Sequence, residues 1–187
     1  PRMTKKIIPQ RKYESETRTG WLDRLAQLVI RKKLHFAVDG QLDVFTVHRW
    51  HHIAQVLNEL GSKAAFVIHG AGNTDELNTC GTNRISHLKD GAVKTYDLDP
   101  TELGFTSATI EDLRGGTADE SAVMMREMFT GKLNGARRDA VLLNAAGALA
   151  AESGDFKSAL EEVAAALDEG KALAKLDALV EFSQSVL

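Results

Sequence analysis

A single cysteine, three prolines and few aromatic side chains mark this 187-residue sequence. One cysteine, Cys80, excludes an intrachain disulfide framework and fits a reducing cytosol. No apolar run reaches membrane length and no charged-then-apolar leader opens the chain, so a soluble, cytoplasmic, non-exported protein is expected. Net charge is scarce too. A formal value of -3 and a pI near 6.1 argue against a dedicated nucleic-acid binder. The charge is uneven, however: residues 1–52 hold 11 Lys/Arg against 5 Asp/Glu, and residues 53–187 hold 12 against 21. That basic front suits an anionic substrate or a plain solvated surface. The length fits one domain over residues 1–187, or a large piece of a bigger protein, with room for a real core. The opening Pro1-Arg2-Met3 points to an internal start or a processed product.

What is present centres on Ala64-Ala65-Phe66-Val67-Ile68-His69-Gly70-Ala71-Gly72-Asn73-Thr74-Asp75-Glu76. An apolar run of strand length empties into a glycine-bearing loop with two adjacent carboxylates. In open α/β sheets, ligands bind just beyond the carboxyl ends of the strands. Adjacent hard oxygen donors there suit magnesium, above all for a substrate that brings its own phosphates. A merely solvated acidic pair is the alternative.

The surrounding pattern predicts an α/β fold. Residues 53–60 carry apolar side chains at helical spacing and stop at Gly61, and the strand 64–68 follows at once. Residues 84–88 and 92–98 flank Asp90-Gly91, a hairpin signal, and Asp99-Pro100 ends the second strand. Thr117-Ala118-Asp119-Glu120 has the form of a capping box opening a helix, with Ala118, Ala122, Met125 and Phe129 on one face and Gly131 at its end. Residues 139–152 are apolar almost all round, which predicts a helix buried in the core. Asp155 caps the next helix, with Leu160, Val163, Ala164 and Leu167 inward, and Ala172, Leu173, Leu176, Leu179, Val180 and Phe182 line the last. Strands alternating with helices, then a helical finish, define the class.

These residues carry a resemblance. Residues 61–184 are similar to the C-terminal part of the anthranilate phosphoribosyltransferase family, related to the pyrimidine nucleoside phosphorylases. The matching pieces run in order: His69-Gly70 leading to Asp75-Glu76-Leu77, Thr82-Asn83-Arg84-Ile85 and Leu88-Lys89-Asp90-Gly91. They continue with Asp99-Pro100, Leu103-Gly104-Phe105, Asp112-Leu113-Arg114-Gly115-Gly116, Arg138-Asp139, Leu142-Leu143-Asn144-Ala145-Ala146 and Gly170-Lys171-Ala172. Residues 1–19 resemble the family stretch that carries an anthranilate-contacting arginine, which places Arg11 in that role. A guanidinium binds a carboxylate bidentately and stacks on a ring.

The resemblance implies transfer of phosphoribosyl from phosphoribosyl pyrophosphate to the anthranilate amine, in tryptophan biosynthesis. It implies Mg2+ as cofactor, with Asp75 and Glu76 as metal ligands, and it nominates no catalytic base or nucleophile. It implies the family's β-sheet flanked by helices, without the N-terminal helical domain or the Gly-Thr-Gly-Gly-Asp donor loop, so a fragment inactive alone is expected. It leaves a homodimer open. A non-catalytic relative binding nucleic acid and an inactive remnant are the alternatives.

Residues 20–52 break the pattern, which resumes near Ile53. Both tryptophans and four of the six histidines fall in this window. A shifted reading frame with preserved length explains the abrupt borders. Divergence is the other reading, with Leu22, Leu25, Leu28 and Val29 forming a helix and residues 44–47 a strand. Elsewhere, Asn144 reads as a hydrogen-bonded core residue. Arg114-Gly115-Gly116 reads as a tight turn feeding the capped helix, or as an anion cradle. Nothing beside Cys80 would lower its pKa, and the histidines, His51-His52 included, lack zinc-ligand spacing.

Overall fold

The computed structural model describes residues 49–185. Arg11, the helix expected at 22–29 and the strand expected at 44–47 lie outside the described residues.

Helix α1, Arg49–Glu59, closes through the amides of Gly61 and Ser62, which donate to the carbonyls of Asn58 and Leu57 at 2.9 Å each. Gly61 takes a φ of 85°, the left-handed value a helix end of this kind requires. Three strands follow: β1 Ala64–His69, β2 Asn83–Lys89 and β3 Ala92–Leu98. Asp90 and Gly91 link β2 to β3 with φ of 49° and 77°, the paired positive values of a tight hairpin turn.

All three strands pair antiparallel in the order β1-β2-β3, from Ala64↔Lys89 to His69↔Arg84 and from Asn83↔Leu98 to Lys89↔Ala92. This corrects one expectation from the sequence. The rule placing ligands at the carboxyl ends of parallel strands does not apply to this sheet. Loop 70–82 contains no helix, and a direct return without a crossover makes neighbouring strands antiparallel.

Helices cover the sheet. Phe66, Ile68, Ile85, Tyr96 and Leu98 pack with Leu143, Ala146, Ala150, Phe156 and Ala159 in one cluster. On α1, Ala54 is fully buried, and Trp50 stacks on His69 with ring centroids 5.1 Å apart. Side chains alternate across a strand, so Phe66 and Ile68 occupy one face while His69 occupies the other. Burying a side chain such as Ile85 or Leu143 stabilises the fold by roughly 1.5–3 kcal/mol.

Two short 3-10 turns, Pro100–Leu103 and Glu111–Leu113, lead to α2, Ala118–Phe129. The capping box is formed in full: Glu120 N–H meets Thr117 Oγ1 at 3.3 Å, and Glu120 Oε2 accepts the Thr117 N–H at 2.7 Å. Its buried residue is Met128, while Met125 is 43% exposed, so the apolar face is rotated from the one expected. Helices α3 Ala136–Ala150, α4 Phe156–Asp168 and α5 Lys171–Ser185 complete the chain. Asp155 caps α4 by accepting the Ser158 N–H at 3.1 Å. Helix α3 is buried on one side only: Leu142, Leu143, Ala146, Gly147 and Ala150 face inward, whereas Val141 is 39% exposed. The sheet and the start of α4 pack against that one side. Leu179 and Phe182 of α5 are exposed as well.

Candidate functional site

Loop 70–82 begins where β1 ends, and buried asparagines hold it. Asn83, at the start of β2, is fully buried; its Oδ1 accepts the N–H of Ala71 at 3.3 Å and of Asn78 at 3.0 Å. Its Nδ2 donates to the carbonyls of Asn78 and Gly81 at 2.9 and 3.1 Å. Asn78 Nδ2 donates to the Ala71 carbonyl at 2.8 Å and to Thr74 Oγ1 at 2.6 Å, and its Oδ1 accepts the Cys80 N–H at 2.9 Å. Thr74 Oγ1 donates to the Glu76 carbonyl at 2.9 Å. From α3, Asn144 accepts the Leu77 N–H at 3.0 Å and donates to the Leu77 carbonyl at 2.6 Å. Irregular backbone is thereby satisfied where a ladder is missing.

Two backbone details fit this bracing. Gly72 and Asn73 both take left-handed φ, 72° and 64°. At Gly70 a Cβ would collide with the Glu76 carbonyl oxygen and Thr74 Oγ1. The loop folds back on its own start that closely.

Asp75 and Glu76 are exposed, between buried Leu77 and half-buried Thr74. They border a cleft of about 560 Å³ whose far wall is apolar, with Leu113, Met124, Met125, Met128 and Phe129. Arg137, in the first turn of α3, lines it too and donates Nε to the Arg114 carbonyl at 3.1 Å. The cleft thus joins two carboxylates and a guanidinium to a greasy wall. A second hollow, about 360 Å³, lies beside Trp50, His69, Arg84 and Asp97.

Magnesium keeps several waters and takes one or two carboxylates together with substrate phosphates. Two adjacent, solvent-facing carboxylates on a braced loop fit that donor set. The described residues contain no group of three or more His, Cys, Asp or Glu suited to hold a metal. His51 and His52 instead turn to Gln55, at 3.2 and 3.0 Å.

At Arg114-Gly115-Gly116, the turn reading fits the contacts. The Glu120 carboxylate already occupies the Thr117 amide, and a Cβ at Gly116 would come within 2.5 Å of Glu120 Oε2. Burial, first, and the Asp112 carboxylate, second, push the Cys80 thiol up, away from the reactive thiolate. Asn144 is the hydrogen-bonded residue its setting suggests. The bracing of Asn78 and Asn83 and the cleft residue Arg137 were not anticipated. Their one sequence signal is the recurrence of Asn73, Asn78 and Asn83 at five-residue steps through a glycine-bearing loop.

Residues 38–173 match the glycosyl transferase family, a/b domain; the match begins inside the window 20–52. The anthranilate phosphoribosyltransferase of Desulfosudis oleivorans is 40% identical over 146 residues, 77% of this chain and 43% of that protein. The enzyme of the same name from Syntrophobacter fumaroxidans is 41% identical over 144 residues, 76% of this chain and 42% of its own length. The crystal structure of anthranilate phosphoribosyltransferase from Thermus thermophilus superposes with a TM-score of 0.63 at 31% identity, covering 72% of this chain and 40% of that one. The Saccharomyces cerevisiae enzyme in complex with PRPP and Mg shares the fold, with a TM-score of 0.60 at 20% identity over 67% of this chain and 36% of that one. The matched part thus spans about two-fifths of the length of these relatives. Family match and fold agree, and the chain belongs to the glycosyl transferase family through its a/b domain.

Proposed function

We propose that this chain is the C-terminal α/β portion of an anthranilate phosphoribosyltransferase. It would take part in moving a phosphoribosyl group from phosphoribosyl pyrophosphate to the amine of anthranilate, within tryptophan biosynthesis. The observation that carries this reading is the braced loop 70–82, which presents Asp75 and Glu76 to a cleft with an apolar wall. Relatives near 40% identity that bear the name of this enzyme support it.

Asp75 and Glu76 would hold magnesium. A cation held there would supply positive charge to offset the charge that builds on the departing pyrophosphate. Other tasks fall to the chain itself. The asparagine braces keep the two carboxylates from needing to reorganise when a cation arrives. Met124, Met125 and Phe129 give the cleft an apolar side. Arg137 supplies positive charge on the same rim. Arg11 is assigned to the anthranilate carboxylate through the family resemblance alone. Positioning and charge compensation carry the reaction, and no side chain is assigned as nucleophile or base.

Calorimetric titration with phosphoribosyl pyrophosphate, with and without magnesium, tests the reading. Magnesium-dependent binding that disappears in Asp75→Ala supports it. Binding indifferent to that substitution removes the metal assignment.

A further inference from the structure

We propose that Asn144 is a positioning residue for the acidic pair, acting through Leu77 to fix where the Asp75 and Glu76 carboxylates stand. The inference rests on the reading of that pair as a divalent-metal site.

Asn144 lies midway along α3, and its Nδ2 donates to the carbonyl of Ala140, one turn earlier, at 2.9 Å. That bond locks the amide against its own helix. The same amide then accepts the Leu77 N–H at 3.0 Å and donates to the Leu77 carbonyl at 2.6 Å. A side chain here does what a neighbouring strand does in a sheet, satisfying both polar groups of one residue. The Leu77 side chain is held as well. It is 1% exposed, and a Cβ at Gly147, less than one turn beyond Asn144, would stand 3.0 Å from its Cδ1. Helix α3 therefore holds Leu77 by main chain and side chain together.

Leu77 follows Glu76 directly. Thr74 Oγ1 holds the carbonyl of that same Glu76–Leu77 peptide at 2.9 Å, and on the other side of the pair the Gly70 N–H donates to the Thr74 carbonyl at 2.9 Å. With both flanks fixed, the side-chain torsions are the main freedom left to the carboxylates. The helix that fixes them also carries Arg137 and Val141 into the same cleft. Helix α3 thus sets the acidic pair and the Arg137 guanidinium in one frame.

The role needs an amide. Aspartate at 144 would offer only acceptors to two carbonyls, and leucine would offer nothing, leaving Leu77 polar groups unpaired. Partners that orient metal ligands are typically worth about 10–100-fold in metal affinity.

The test uses the full chain and Mn2+ as the probe, read by water-proton relaxation, beside hydrogen exchange of the Leu77 amide. Asn144→Leu is compared with wild type, with Asp75→Ala, and with Leu167→Ala, a core truncation in α4 that lowers stability elsewhere. Expected is Mn2+ binding lost in Asp75→Ala, weakened about 10-fold in Asn144→Leu and unchanged in Leu167→Ala. The Leu77 amide should exchange faster in Asn144→Leu alone. Asn144→Gln, which keeps both groups but displaces them by one methylene, takes the same readings if Asn144→Leu does not fold. Wild-type affinity in the Asn144 variant, an equal loss in Leu167→Ala, or an unchanged Leu77 amide overturns the positioning role. Wild type binding no better than Asp75→Ala sinks the metal reading and this role with it.

Discussion

Asn83 turns both ends of its side-chain amide on the backbone of Asn78, accepting its N–H at 3.0 Å and donating to its carbonyl at 2.9 Å. With Ala71 and Gly81 it makes four such bonds in a position closed to water. Asn83→Ala should therefore do more than remove a surface amide. Unpaired buried backbone groups cost about 1–3 kcal/mol each, and relaxation of the loop will recover part of that. Urea unfolding should show Asn83→Ala destabilised by about 3 kcal/mol, with weaker magnesium-dependent ligand binding. A loss under about 0.5 kcal/mol, the size of an ordinary surface substitution, would contradict the brace.

Gly70 makes a separate prediction, because its obstacle is backbone rather than a flexible side-chain end. A methyl group there would strike the Glu76 carbonyl oxygen and Thr74 Oγ1. Gly70→Ala must push apart the start of the loop and the acidic pair. We expect a lower melting temperature, a stability loss of about 1–3 kcal/mol as in overpacked cores, and loss of metal-dependent binding. A variant with wild-type melting and binding would show that the loop does not close on itself.

Arg84 and Asp97 face each other across β2 and β3, with Nε to Oδ1 at 2.8 Å and Nη2 to Oδ2 at 3.0 Å. The hydrogen bond from Arg84, with its charge attraction, holds Asp97 below its ordinary value of 3.8 despite some desolvation. A carboxylate lowered in the folded state stabilises it above the unfolded value. That contribution is lost as pH falls through the folded one. Both side chains are well solvated, so the pair is worth at most about 1 kcal/mol. Urea unfolding of wild type and Asp97→Asn should differ at pH 7, with the gap shrinking as pH falls past about 3.8 and closing once it has passed below the lowered folded value. A gap that widens in acid would contradict the pairing.

The parts of the fold legible in the sequence are those set by local chemistry. Asp90-Gly91 specifies its turn because few other pairs accept two positive φ values. Thr117 with Glu120, and Asp155, specify helix starts because their partners lie three residues away. Asp75-Glu76 stands out as a strand-end acidic pair, and the ordered motifs give it a role. Asn78 and Asn83 are different. Asparagine is usually a surface residue, and what buries these two is a loop doubling back over them. Asn144 reads as core, but its partner Leu77 is 67 positions away and only packing of α3 on the loop reveals it. The antiparallel return of β2 is hidden for the same reason. Loop 70–82 is long enough for either return, and the pairing of β2 with β1 shows that it makes the direct one.

Whether the acidic pair is the functional centre of this chain comes down to where a divalent ion sits. Mn2+, added in sub-stoichiometric steps with inorganic pyrophosphate to isotope-labelled full chain, broadens the amide resonances nearest to it. Residues 74–78 should broaden first, and Asp75→Ala should abolish the effect. Broadening centred elsewhere, at His51 and His52 for instance, or unchanged in Asp75→Ala, would contradict that role for Asp75 and Glu76.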